Sequence, residues 1–212
     1  MPAIIETEVF TISELPDAAK ERARAWYREG ALDHDWWSFC YDDFCAICEF
    51  LGVELKTRPT KLMGGGTRQE PCIWFRGFWS QGDGASFEVE RYAYAKGSLA
   101  GIMAYAPKDG ALHAIARRLA DVQRRNFFQL YASVDQSGLY CHEMTMRTDV
   151  RRDDAEMTAD AEDEIADALR DLARWLYHRL EAEYEYLTFD EVVDEAIVAN
   201  EYTFTGAGER FG

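Results

Sequence analysis

The chain has 212 residues, is 48% hydrophobic and 14% aromatic, and carries a net charge of −16. This composition excludes intrinsic disorder, which needs low hydrophobicity, and the length allows a buried core without disulfide staples. No apolar run approaches the roughly 18 residues of a membrane span. The first ten residues hold no basic segment followed by a long apolar one, so no signal peptide is expected. The five cysteines (Cys40, Cys45, Cys48, Cys72 and Cys141) are odd in number. They read as reduced thiols in a cytoplasm.

Residues 4–12 read as a short strand. Residues 14–29 then read as a helix, capped by Ser13, with Pro16 early and Gly30 as its stop. An aromatic-rich helix is expected over 34–51, closed by Gly52. Residues 53–58 read as a strand and 59–70, with Gly64, Gly65 and Gly66, as a flexible loop. Two strands, 72–78 and 86–94, are joined by WSQGDGA. Helical spacing of Leu112, Ile115, Ala116, Leu119 and Val122 predicts a helix over 112–125. Residues 127–134 and 139–146 alternate and are expected to pair as a hairpin. A polar stretch at 151–160 precedes long helices at 161–184 and 189–201. The tail, 202–212, holds three glycines and reads as loosely held. Strands adjacent in sequence favour an α+β fold: an antiparallel sheet of about five strands, with helices on one face and two acidic C-terminal helices. The whole chain reads as one domain. Residues 148–160 are the best place to divide it into a core, 1–150, and an acidic helical region, 151–212.

The charge is concentrated. Residues 153–201 contain 17 acids and three bases, a balance of −14. Direct contact with nucleic acid through this segment is not expected, because phosphates need cations. A partner with a basic surface, or a groove that normally holds nucleic acid, is the electrostatic complement. Acids at helical spacing repel one another, so the field has a cost that solvation alone does not require. Candidate partner-binding residues are Asp160, Glu164, Asp167, Asp171, Glu181, Glu185, Asp190, Glu191, Asp194 and Glu195.

Residues 73–88, IWFRGFWSQGDGASFE, form the most unusual stretch. Gly82 and Gly84 can supply positive φ in a tight connection, and Asp83 between them can bind backbone amides. The segment resembles the FSGFxSQGDGAxFEG motif of an uncharacterised family of small bacteriophage and prophage proteins, some of which are labelled antitoxin. PDAAKERARAWYREG, LHAIARRLADVQ, LYCHE and IVANEYTFTGAGERFG also resemble that family. The resemblance therefore covers most of the chain. Trp79, Ser86 and Val89 depart from the pattern, which has a small residue, cysteine and glycine there. What the resemblance implies is a phage or mobile-element setting, not a reaction.

The loop has two readings, a backbone device or a ligand and partner site. The candidate loop-site residues are Trp79, Ser80, Gln81, Gly82, Asp83, Gly84, Glu88 and His142. His142, on a predicted strand, needs an acidic partner to act as a base; Asp83 or Glu88 can supply one if their strands are neighbours. Glu88, Glu90 and Glu143 are carboxylates on predicted strands, without a readable separation. Cys45 and Cys48 form C-x-x-C inside an apolar helical pattern without a second ligand pair, so they are expected to be buried and metal-free. No cofactor and no catalytic residue is expected. The functional expectation is a non-enzymatic phage or prophage accessory protein in the host cytoplasm. It would bind and inhibit a nucleic-acid-handling defence complex, of the anti-CRISPR or anti-restriction kind. The alternatives are an enzyme or binder of a small ligand or nucleotide signal using the SQGDG loop, and an antitoxin that neutralises a basic toxin.

Overall fold

The computed structural model describes residues 6–153 and 155–212. The elements in chain order are α1 (Asp17–Ala31), α2 (Ser38–Leu51), β1 (Val53–Leu55), β2 (Thr57–Lys61), β3 (Thr67–Pro71), β4 (Ile73–Arg76), β5 (Gly84–Phe87) and β6 (Val89–Ala93). They continue with α3 (Ser98–Tyr105), α4 (Gly110–Arg125), β7 (Leu130–Gln136), β8 (Met146–Arg152), α5 (Ala161–Thr188), α6 (Asp190–Ala199), β9 (Thr203–Phe204) and β10 (Arg210–Phe211). With 47% helix and 22% strand the class is α+β, ending in a helix pair. The chain forms two compact units, residues 39–180 and residues 1–38 with 181–212. No helix among the described residues is long and apolar enough to cross a membrane.

In the unit of residues 39–180, an antiparallel sheet has the order β1-β6-β7-β8. The remaining strands form two hairpins, β2–β3 and β4–β5. A triangle of backbone bonds explains the change of partners. Lys56 N–H donates to Glu88 O at 3.0 Å, Glu88 N–H to Cys72 O at 2.9 Å, and Cys72 N–H to Lys56 O at 2.8 Å. At these three residues β1 gives way to β2, β3 to β4 and β5 to β6, and each continuation pairs with a different neighbour. The predicted loop 59–70 is therefore mostly the β2–β3 ladder, with Thr60 opposite Arg68, and only residues 62–66 turn. The α4 stripe, Leu112, Ile115, Ala116, Leu119 and Val122, is fully buried as its spacing predicts. Phe44 of α2 meets Phe87 at 5.1 Å in this core.

The expected hairpin of 127–134 with 139–146 is shifted. Phe127 and Phe128 take φ of 57° and 60°, left-handed conformations that end the helix instead of beginning a strand. The buried Gln123 holds that turn, donating to Leu130 O at 2.8 Å and accepting from Leu130 N–H at 3.2 Å. β7 then pairs with β8, Leu130 opposite Arg152 and Gln136 opposite Met146. Residues 137–145 form the connection, with a 3-10 turn at Glu143–Thr145. His142 caps this turn and does not lie on a strand.

In the other unit, α1 and α6 enclose a small core of Ile12, Leu15, Ala19, Ala23, Val193, Ile197 and Phe204. Positions 4 and 5 of the predicted first strand lie outside the described residues, and of the rest only Phe10 pairs, in a bridge to Phe204. Ser13 caps nothing in α1, whose N-cap is Pro16. Thr11 and Glu14 cap the preceding 3-10 turn instead. The tail is not loose: β9 and β10 pair, and Phe204 is completely buried. Gly208, at φ 82°, approaches α1 so closely that an added Cβ would lie 2.1 Å from Ala19 O.

Candidate functional site

The β4–β5 hairpin carries the SQGDG loop at its tip. Asp83 Oδ2 accepts from Ser80 N–H at 2.7 Å, and Asp83 N–H donates to Ser80 O at 3.1 Å. Behind them Gly77, at φ 53°, lies under the same carboxylate; a Cβ there would come within 2.7 Å of Asp83 Oδ1. The Asp83 side chain is thus spent on its own loop. Gly82 has the expected positive φ of 91°. Gly84 does not. Its demand is proximity: a Cβ would meet His142 Cδ2 at 3.0 Å and Cys141 O at 3.1 Å. The structure therefore brings His142 to the loop base, while the Gly82 backbone faces the Tyr140 ring.

His142 does not use either expected partner. Its Nδ1 accepts from Met144 N–H at 3.1 Å and lies 3.1 Å from Glu143 Oε2. Glu143, nearly buried, accepts from Arg174 Nε at 2.9 Å, and this bond raises the Arg174 pKa. Arg174 also pairs with Asp171. Glu88 stands apart from the tip, at the strand junction, where Oε1 accepts from Gln136 N–H at 3.1 Å. Ser80 and Gln81 are exposed. Trp79, at φ 69°, is 66% exposed. The neighbouring connection exposes Leu139, Tyr140 and Met144. Large apolar groups in the open on two adjoining loops are a feature of contact surfaces. Sequence reading does not single out those three, because the alternation of 139–146 predicts a strand there.

The ten candidate acids fall into two groups. In the unit of 39–180, Asp160 pairs with Arg125 at 3.1 Å, Glu164 with Arg118 at 3.4 Å, and Asp171 with Arg118 at 2.9 Å. Asp167 pairs with Arg170 at 3.3 Å. The Thr158 hydroxyl, then the backbone N–H of Asp160 itself and Arg125, hold Asp160 below the ordinary carboxylate range. In the other unit Arg24 grips Asp194 with two bonds, of 2.8 and 2.6 Å, and Asp190 with one of 2.6 Å. The Arg24 bond lowers the Asp194 pKa. Arg28 also binds Asp190 and accepts its orientation from Thr188 O at 3.0 Å, to which Nε donates. Glu185, Glu191 and Glu195 have no ion pair among the described residues, and Glu181 is partly buried.

The C-x-x-C pair lies on α2. Cys48 is buried as expected but Cys45 is only half-buried; desolvation pushes both thiols up. Among the described residues no three His, Cys, Asp or Glu side chains converge as a metal site would require. Sequence reading also missed α3 and the open groove of about 700 Å³ beside it, lined by Asp43, Tyr105, Lys108, Asp109, Trp175 and Arg179. Asp109 caps α4 through Leu112 N–H at 3.0 Å and accepts from Trp175 Nε1 at 2.8 Å. Tyr105 donates to Asp43 at 2.5 Å, which raises the tyrosine pKa. The Asp-Gly preceding the periodic stripe of α4 was the available cap signal.

The chain belongs to the family described as Domain of unknown function (DUF8835), whose model matches residues 36–190. The matched region contains the SQGDG loop, the 137–145 connection and all of the unit formed by residues 39–180. No curated protein and no solved structure matches the chain.

Proposed function

We propose that this protein works by binding and not by catalysis: an acidic accessory protein of phage or prophage origin that occupies the nucleic-acid groove of a host defence complex. The observation that carries the reading is the charge left over after internal pairing. Residues 1–38 and 181–212 hold 17 acids against five bases, a balance of −12 out of −16. Among the described residues of that unit Glu185, Glu191 and Glu195 have no ion pair. Glu191 and Glu195 are one helical turn apart on α6, a spacing that sets side chains on one face. Such a face attracts a basic groove and competes with phosphate for it. The resemblance of residues 73–88 to phage and prophage proteins supports the setting. Against a small-ligand loop stands Asp83, whose carboxylate is engaged by Ser80 N–H at 2.7 Å. The same electrostatics would serve neutralisation of a basic toxin, and the test separates the two targets.

The test is affinity capture from a bacterial lysate with the wild type and with a Glu185→Gln, Glu191→Gln, Glu195→Gln variant. The expected result is capture of a nucleic-acid-binding complex that duplex DNA displaces, that about 1 M salt releases because screening shortens to about 3 Å, and that the variant captures poorly. A partner retained by the variant and indifferent to DNA and salt overturns the reading. Capture of a small basic toxin instead replaces the target.

A further inference from the structure

The unit that carries the surplus charge also contains an aromatic cavity. Two consecutive residues near the end of α1, Trp26 and Tyr27, and Tyr202, just beyond α6, are mutually tilted rings. Their centroids lie 5.3 Å apart for Trp26–Tyr202 and 6.4 Å apart for each pair with Tyr27. The small core of this unit consumes Ala19 and Ala23 of α1 and leaves these rings half-buried. With Glu29, His34 and Asn200 they line an open cavity of about 620 Å³. That volume falls within the usual range of small-ligand sites.

Two of the rings already hold a cation. The guanidinium carbon of Arg210 stands 4.5 Å from the Tyr202 ring centre and 5.1 Å from that of Trp26, inside the reach of a cation–π contact. Arg210 is not a wall of the cavity, so Trp26 and Tyr202 present further surface to it. On the cavity wall Glu29 is an exposed carboxylate without an ion pair among the described residues. The field of the whole unit, at −12, concentrates cations and repels anions.

We propose that this cavity is a binding site for an organic cation on a flexible stem, of the kind an arginine side chain presents. The rings take the cation by the cation–π contact that Trp26 and Tyr202 already make with Arg210, Glu29 supplies the counter-charge, and the Asn200 amide offers a hydrogen bond to a neighbouring backbone. The site would anchor the basic partner of the proposed function, and in that clause alone it rests on that reading.

The test uses the full chain and two small probes, N-acetyl-arginine amide and its uncharged isostere N-acetyl-citrulline amide, followed by nuclear magnetic resonance. Saturable shifts are expected at the Trp26 indole N–H and the Gly30 amide with the arginine probe, and binding at least several-fold weaker with citrulline. Glu29→Gln should weaken arginine binding by about three- to fivefold, the scale of an exposed charge pair, without moving the melting temperature. Because Glu29 lies outside the core, this variant separates a lost site from a lost fold. Equal binding of both probes, shifts confined to other residues, or an affinity unchanged in Glu29→Lys overturns the proposal. If arginine binds while capture yields no basic partner, the site stands and the functional reading falls; capture without probe binding does the reverse.

Discussion

Two acidic stretches, residues 160–171 and 181–195, look alike in sequence and are handled differently in the fold. In the first, Asp160, Glu164 and Asp171 each meet an arginine of α4, Arg125 or Arg118, and Asp167 has Arg170 within its own helix. In the second, Arg24 and Arg28 of α1 hold Asp190 and Asp194, while Glu185, Glu191 and Glu195 have no ion pair among the described residues. A window of sequence counts the acids and misses the arginines of α1 and α4, which lie more than thirty residues upstream. The comparison teaches that net charge over a segment overstates the field of its surface. Among the described residues most of the surplus that survives pairing is found in the second stretch, although Glu162 and Asp163 of the first are exposed and without an ion pair as well.

The largest effect should come from Arg24→Ala. It removes three charged hydrogen bonds from a side chain that is 17% exposed, and should cost about 2 kcal/mol or more, since bonds to charged groups run at about 1.5–3 kcal/mol. Urea unfolding measures it; a loss below half of this would mean that the α1–α6 pairing is no tighter than a surface contact. Acid should act on the same place. The Asp194 carboxyl is held below its ordinary value by Arg24, so its unfolded form binds protons more readily. Its contribution is therefore complete above its unfolded pKa, about 3.9, and is lost as pH falls through the lower folded value. Asp194→Asn should flatten the fall of the urea midpoint between about pH 5 and about pH 3, and an unaltered slope would contradict the assignment.

Arg118→Ala tests the first stretch and should cost less, under about 1 kcal/mol, because both partners and the guanidinium are solvent-accessible. A cost matching that of Arg24→Ala would erase the distinction between the stretches. The smallest effect belongs to Glu185→Gln, Glu191→Gln, Glu195→Gln. With no ion pair to lose and one like-charge repulsion at i,i+4 relieved, stability should stay within about 0.5 kcal/mol of wild type or rise slightly. Destabilisation beyond that would mean that these glutamates support the fold and not a binding surface.

Where signals are local, reading residue by residue succeeds. The stripe from Leu112 to Val122 is a buried helix face, Gly52 ends α2 at φ 77°, and the SQGDG loop joins a strand pair. These follow from helical spacing, from the freedom of glycine at positive φ and from turn chemistry within a few residues. The alternation of 139–146 failed for the opposite reason. A strand needs a partner, and β7 found its partner at Met146–Arg152, leaving His142 to cap a turn. Gly84 is a case between the two. Its presence in the loop was visible, but its reason, the backbone of Cys141 and His142 about 3 Å from where a Cβ would stand, is a contact across nearly sixty residues.

The sequence by itself determined the class of fold, most helices and the acidity of the chain, because composition, periodicity and capping act over single turns. Only the tertiary structure decided which acids keep their charge, which strands pair across the Lys56–Cys72–Glu88 junction, and that Trp26, Tyr27 and Tyr202 share one cavity. Each of those depends on groups far apart in the chain, whose meeting is chosen by the packing of the whole unit and not by any neighbouring residue.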